Sequence, residues 1–117
     1  VIFGSLHLAN PEITALGYEF IFLYIIVGFV LGIMTLMDDG LELAIGFHAA
    51  NNLVAALLVT ADWTVFQTES ILIDISEPSL GISDWLAPFV VYPILITILS
   101  RKYAWTNWKK KLFSKVR

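Results

Sequence analysis

The sequence predicts an all-α fold, a fragment of a polytopic transmembrane helix bundle with a basic C-terminal tail. Hydrophobic residues make up 58% of the chain and the mean hydropathy is +0.80, whereas soluble domains contain about 45–50% apolar residues. All 7 Lys and Arg residues lie within residues 101–117, and none of the 10 carboxylates does. Because about 20 apolar residues cross a bilayer, we expect about three transmembrane helices and the end of a fourth.

Three apolar stretches are the candidate crossings. Residues 20–37 carry no charge and would form a helix of about 27 Å. A polar turn, Asp-Asp-Gly at residues 38–40, leads into the second stretch, residues 41–61, whose apolar run is interrupted by one glutamate, one histidine and two asparagines. The third stretch, residues 85–99, is short and contains two prolines that would bend it.

Two further segments complete the predicted bundle. Residues 62–84 carry five carboxylates and are predicted to form a loop outside the membrane, within which residues 71–75 are either extended or a shallow interfacial segment. The chain opens at Val1 with apolar residues typical of the end of a helix rather than its beginning. We therefore expect a fragment of a longer protein.

The tail predicts the orientation in the membrane. In residues 101–117, aromatic side chains alternate with lysines, which suits an amphipathic segment on an anionic leaflet. We treat it as a unit separate from the domain formed by residues 1–100. The positive-inside rule places the tail in the cytoplasm, so residues 38–40 fall inside, and residues 9–19 and 62–84 fall outside.

Composition also excludes some classes of function. The chain has no cysteine, which excludes disulfides and thiolate chemistry. The confinement of basic residues to one short flank is typical of membrane proteins and argues against nucleic acid as a partner. The lipid bilayer is the partner that the composition predicts.

His48 and Asn52 are the polar residues most deeply placed in a predicted crossing. Side chains four residues apart share one face of a helix, and polar groups within a bilayer cost about 2.5–3.5 kcal/mol, so they usually have a partner or a task. One interpretation is a functional site. The other is helix association through hydrogen bonds worth about 0.6–2 kcal/mol each.

The helix before His48 carries a GxxxG pair, Gly28 and Gly32. We interpret this pair as a packing face, because small residues let helix backbones approach closely. His7 is the only other histidine and lies beside Gly4 and Ser5. By itself it is either a capping or interfacial residue or a functional one.

Two short motifs flank the glycine-bearing helix. Residues 3–7 read Phe-Gly-Ser-Leu-His, an FxxxH pattern, and residues 48–52 read His-Ala-Ala-Asn-Asn, an HxxxN pattern. In this order and membrane setting, the motifs resemble the second and third motifs of the CAAX protease and bacteriocin-processing (CPBP) family of intramembrane peptidases, also called the Abi family. The resemblance extends over residues 1–61.

The family's first motif, EExxxR, occurs nowhere in the chain. Glu12, Glu19 and Glu42 do not replace it, because none begins a Glu-Glu pair followed by Arg at the required spacing. We therefore expect transmembrane helices of the same protein, upstream of Val1, to supply that motif and to pack against this chain as its partner.

The resemblance implies that an activated water hydrolyses a peptide bond of a membrane-associated peptide or protein. His7, with the first-motif glutamate, would activate the water. His48 and Asn52 would donate hydrogen bonds to the oxyanion, where losing one donor costs about 3–4 kcal/mol. Family members have also been described as metalloenzymes, so His7 and His48 are candidate ligands of a divalent metal such as zinc, completed by the missing carboxylate.

The resemblance implies an integral, multi-pass protein of the bacterial plasma membrane. Two alternatives remain: a non-catalytic scaffold or bacteriocin self-immunity protein of the same fold, and, more weakly supported, an ion or proton carrier. The predicted topology places His48 about 10 Å from the cytoplasmic end of its helix and His7 at the outer side. They meet only if His7 also lies deep, for example through a kink or re-entrant turn near Asn10 and Pro11.

Overall fold

The computed structural model describes residues 2–114, which form a mostly helical protein with one small sheet. Val1 and residues 115–117, the end of the predicted tail, lie outside the described residues. The helices are α1 (Ile2–Ser5), α2 (Pro11–Leu16), α3 (Ile21–Asp38), α4 (Glu42–Leu57), α5 (Tyr92–Lys102) and α6 (Trp108–Phe113), and the strands are β1 (Val59–Ala61) and β2 (Leu72–Asp74).

Two helical segments of the described residues are long and apolar enough to cross a membrane. They are Tyr18–Asp38, in which a 3-10 turn leads into α3, and Ile82–Lys102, in which a 3-10 turn and a π-helical turn lead into α5. Each has 21 residues and reaches about 32 Å, more than a hydrocarbon core of about 30 Å. Only 17% and 6% of their apolar windows are buried within the protein, so their apolar surfaces face outward, as lipid contact requires. The segments contain the first and third predicted crossings, and the third is longer than residues 85–99.

The second predicted crossing ends earlier than expected. Helix α4 stops at Leu57 after 16 residues, which is about 24 Å; β1 follows where the sequence predicted helix through residue 61. The amides of Ile71 and Leu72 donate to the carbonyls of Leu57 and Leu58, at 3.0 and 2.8 Å, and so satisfy groups that a helix end leaves unpaired. The predicted count of about three spans and the end of a fourth is therefore not confirmed.

The small sheet also corrects the all-α prediction. Strands β1 and β2 pair in parallel, with Val59 opposite Leu72. Val59 and Thr60 are β-branched and favour extended backbone. Of the two alternatives for residues 71–75, the extended one is thus found, at Leu72–Asp74.

The tail docks on the end of α3. Helix α3 ends at Asp38, and the residue that caps it, Asp39, has a left-handed φ of 56°. The indole Nε1–H of Trp105 donates to Asp38 Oδ1 at 3.1 Å, and Lys111 Nζ donates to the carbonyl of Met37 at 2.9 Å and pairs with Asp39. A cation beside the last carbonyls of a helix is favourable.

The buried core lies at this end of the protein. Its members are apolar side chains of α3, α4 and the tail: Val30, Met34, Met37, Ala44 and Trp105. The predicted tail therefore packs partly on the bundle, although α6 keeps an exposed face. Helix α5 continues through Lys102, across the predicted boundary at residue 101; the division into two units stays a prediction.

Candidate active site

Helix α1 lies directly against α3 because two glycines permit it. A Cβ at Gly4 would come within 2.7 Å of Ile25 Cγ1, and a Cβ at Gly28 would come within 3.2 Å of Phe3 Cβ. A Cβ added at Gly32, the second member of the GxxxG pair, would meet no atom of another packed segment within 4 Å among the described residues. Of the predicted packing face, the structure therefore uses Gly28, and it uses it to seat Phe3.

The ring of Phe3 joins the two histidines. Its centroid is 4.7 Å from that of His7 and 5.3 Å from that of His48. Helix α4 turns back beside α3 after the tight turn at residues 39–41, which brings His48 level with Phe3. The first residue of the FxxxH motif is thus the contact between the two motifs.

A turn lies next to His7, at the Asn10 and Pro11 positions that the sequence suggested. After α1, the backbone amide of Asn10 donates to the carbonyl of His7 at 3.0 Å, and Pro11 begins α2. The His7 ring stacks on Tyr24 of α3, with centroids 4.3 Å apart. His7 therefore lies beside the first turn of α3, and the Phe3 ring between the two histidines bridges the separation that the predicted topology implied.

The hydrogen bond of His7 fixes its tautomer. Nδ1 lies 2.8 Å from the carbonyl oxygen of Phe3, and because a carbonyl only accepts, Nδ1 carries the proton. Among the described residues, Nε2 has no hydrogen-bond partner. This nitrogen therefore holds a free lone pair, as a general base requires.

His48 and Asn52 share one face of α4, as their spacing predicted, and are hydrogen-bonded to each other. Asn52 Nδ2 donates to His48 Nε2 at 3.3 Å, so the proton of a neutral His48 is on Nδ1. One N–H of the Asn52 amide and the Nδ1–H of His48 remain as donors. Both side chains are half-buried.

One cavity of about 310 Å³ brings these side chains together. This volume is near the lower end of the range typical of ligand pockets, about 300–1,000 Å³. The polar residues that the sequence singled out, His7, His48 and Asn52, all line the cavity, together with Glu12, Tyr24 and Val65. The three predicted site residues are therefore assembled in one place.

Glu12 is the cavity residue that motif reasoning missed. Its side chain lies in α2 and is only 7% exposed, Oε1 accepts a hydrogen bond from the Val65 amide at 2.8 Å, and Oε2 is buried without a partner among the described residues. The sequence offered one signal, a carboxylate five residues after His7 beyond an Asn-Pro turn. Glu19 and Glu42 are exposed and do not line this cavity.

The described residues do not form a complete metal site. Within residues 2–114, no three His, Cys, Asp or Glu side chains are close enough to hold an ion, whereas a catalytic zinc takes three protein ligands and a water. In addition, Nε2 of His48 accepts a hydrogen bond from Asn52. Among the described residues, Nε2 of His7 is therefore the imidazole nitrogen whose lone pair is free.

Comparison with known proteins agrees with this geometry. The family model described as type II CAAX prenyl endopeptidase Rce1-like matches residues 1–54, which include both motifs. The uncharacterized protein YyaK of Bacillus subtilis (strain 168) is 35% identical over 69 residues, a match that covers 56% of this chain and 22% of YyaK. No solved structure matches the chain. The family match over residues 1–54, which contain both motifs, confirms the predicted resemblance to CAAX-type endopeptidases.

Proposed function

We propose that the natural full-length protein is an intramembrane endopeptidase that hydrolyses a peptide bond of a membrane-associated substrate with an activated water. The observation that carries this proposal is the single cavity lined by His7, His48 and Asn52. This chain spans about a fifth of the length of the curated relative that it matches. The remaining transmembrane helices, with the first-motif glutamate, are its proposed partners in forming the complete site.

His7 is proposed to take a proton from the attacking water. Its Nε2 lone pair is free, and its ring is held by the Phe3 carbonyl and by stacking on Tyr24. A base whose tautomer and orientation are fixed needs little reorganisation before it accepts the proton. The upstream glutamate would share this task.

His48 and Asn52 are proposed to stabilise the oxyanion. Their mutual hydrogen bond orients both side chains and leaves one N–H on each for the developing negative charge. Donors that are already in place are most effective in a cavity of low dielectric constant. A divalent metal such as zinc, if the natural protein uses one, would need ligands from outside residues 2–114.

We also propose the orientation of the protein in the bacterial plasma membrane. Lys111 pairs with Asp39, which puts the tail and the turn at residues 38–40 on one side, while Glu12 bonds to Val65, which puts residues 9–19 and 62–84 together. The basic tail favours the cytoplasm. The protein would thus be multi-pass with a cytoplasmic C-terminus.

The double variant His7→Ala/His48→Ala tests the proposal. In the full-length protein, this variant should insert into membranes as the wild type does and should lose cleavage of a membrane-anchored peptide substrate, measured by mass spectrometry of the products. Cleavage at the wild-type rate would overturn the assignment. Bacteriocin protection or partner binding that survives both changes would instead support the non-catalytic alternative.

Gly28→Ala should lower activity, because the new methyl group would lie 3.2 Å from the Phe3 side chain and would displace the ring between the histidines. A displacement of about 1 Å costs about 10²-fold in rate, so a shift of a few tenths of an ångström predicts a loss of about 3- to 10-fold. Gly32→Ala is the matched control, since its new methyl group would have no neighbouring packed segment within 4 Å among the described residues. Equal initial rates of peptide cleavage in both variants would contradict this role of Phe3.

A further inference from the structure

The Glu12 carboxylate is an incomplete binding group. Oε1 is held by the Val65 amide, whereas Oε2 is buried without a partner among the described residues. Burying a carboxylate oxygen without a hydrogen bond is costly. Because Glu12 lines the cavity beside His7, a molecule that enters this cavity can supply the donor that Oε2 lacks.

The described part of this chain provides no cation for Glu12. All Lys and Arg residues lie in residues 101–117, and Lys111 is bound to Met37 and Asp39 at the opposite end of α3. The Nδ1–H of His7 is donated to Phe3. A negative group in an otherwise neutral cavity is complementary to a positively charged donor.

The walls of the cavity suit a long cationic side chain. Phe3, Tyr24 and Val27 supply aromatic and aliphatic surface, which packs well on the methylene groups of lysine or arginine. A volume of about 310 Å³ is sufficient for one such side chain but not for a long peptide.

We propose that Glu12 is a specificity residue whose Oε2 binds the cationic nitrogen of a basic residue beside the scissile bond of the substrate. The proposal rests on the proposed peptidase function. The same chemistry could be supplied by the α-ammonium group of a free peptide N-terminus, and the experiment must separate the two sources. Glu12 would then select substrates, while His7, His48 and Asn52 perform the hydrolysis.

The test compares wild-type and Glu12→Gln full-length protein on two N-acetylated peptides that differ only by lysine or norleucine next to the cleaved bond. Glutamine keeps an oxygen for the Val65 amide but replaces the free acceptor with a donor, so the fold is retained. The wild type should prefer the lysine peptide in kcat/KM by about 10- to 100-fold, the range expected for a hydrogen bond between charged groups. Glu12→Gln should abolish this preference, so that the lysine and norleucine peptides are cleaved with similar kcat/KM.

Glu19→Gln is the matched control, because Glu19 is exposed and does not line the cavity; it should keep the preference. A third peptide with a free N-terminus and norleucine identifies the α-ammonium source if the wild type prefers it and Glu12→Gln does not. That result would assign the site to the peptide terminus rather than to lysine. Equal losses on all peptides, or an unchanged preference in Glu12→Gln, would overturn the proposal.

A binding measurement separates this proposal from the proposed function. If the wild type cleaves none of the peptides, the peptidase assignment fails, and calorimetric titration with N-acetyl-lysine amide then tests the cation site directly. Binding to the wild type that is lost in Glu12→Gln would support the site. Absence of binding to the wild type would overturn it.

Discussion

Replacing His7 by alanine is expected to lower kcat for peptide cleavage by about 10²- to 10⁴-fold, the range typical of a lost general base. The Nδ1–H of His7 is donated to the Phe3 carbonyl at 2.8 Å, which leaves Nε2 as the nitrogen that can accept a proton from water. Alanine removes this nitrogen. The measurement is single-turnover cleavage by full-length protein in proteoliposomes, normalised to the amount of inserted protein.

His7→Phe is the control that separates chemistry from packing. Phenylalanine keeps a ring that can pack against Phe3 and Tyr24, whose centroids lie 4.7 and 4.3 Å from the His7 ring, but it has no nitrogen. We expect His7→Phe to be as inactive as His7→Ala and to unfold at nearly the wild-type temperature. Substantial cleavage by His7→Phe would mean that the histidine only fills space.

Replacing Asn52 by alanine is expected to lower kcat by about 10²- to 10³-fold, as for the loss of one oxyanion donor. The Asn52 amide donates to Nε2 of His48 at 3.3 Å. The change therefore removes one oxyanion donor, and it also removes the hydrogen bond that keeps the proton of His48 on Nδ1. The effect should appear in kcat rather than in KM, since the donors act on charge that develops in the transition state. Steady-state kinetics on a single peptide measure both constants.

A double-mutant cycle with His48→Ala completes this experiment. Because the two side chains share a hydrogen bond, the double variant should lose much less activity than the product of the two single losses. Asn51→Ala is a comparison within the same cavity, because Asn51 also lines it but is exposed and is not the partner in the His48 Nε2 hydrogen bond; it should lower kcat less than Asn52→Ala. Stability losses without a change in kcat would instead support helix association as the role of His48 and Asn52.

Local pattern predicted the helices that depend mainly on hydropathy. The uncharged stretch over residues 20–37 and the proline-containing stretch over residues 85–99 both lie within long apolar helical segments. The apolar stretch over residues 41–61 is not helical to its end. The amides of residues 71 and 72 donate to the carbonyls at the end of α4, and the backbone after Leu57 becomes extended. That pairing joins residues far apart in sequence, which a window of hydropathy does not detect.

The site shows the same division between local and distant contacts. The i, i+4 relation of His48 and Asn52 is local, and their hydrogen bond follows from helix geometry. The contact of Phe3 with both histidines and the burial of Glu12 depend on α1 and α2 folding against α3 and α4. Motif spacing excluded Glu12 because it could assess neighbours in the chain but not neighbours in the cavity.

The sequence by itself determined that this is an apolar, helical membrane protein with FxxxH and HxxxN motifs, because hydropathy and helical periodicity are properties of short segments. Only the tertiary structure decided that His7 and His48 lie in one cavity and that Glu12 joins them. The reason is steric: Gly4 and Gly28 let α1 pack against α3, and the turn at Asn10 and Pro11 returns the chain beside it. These contacts between distant segments, rather than any single motif, assemble the site.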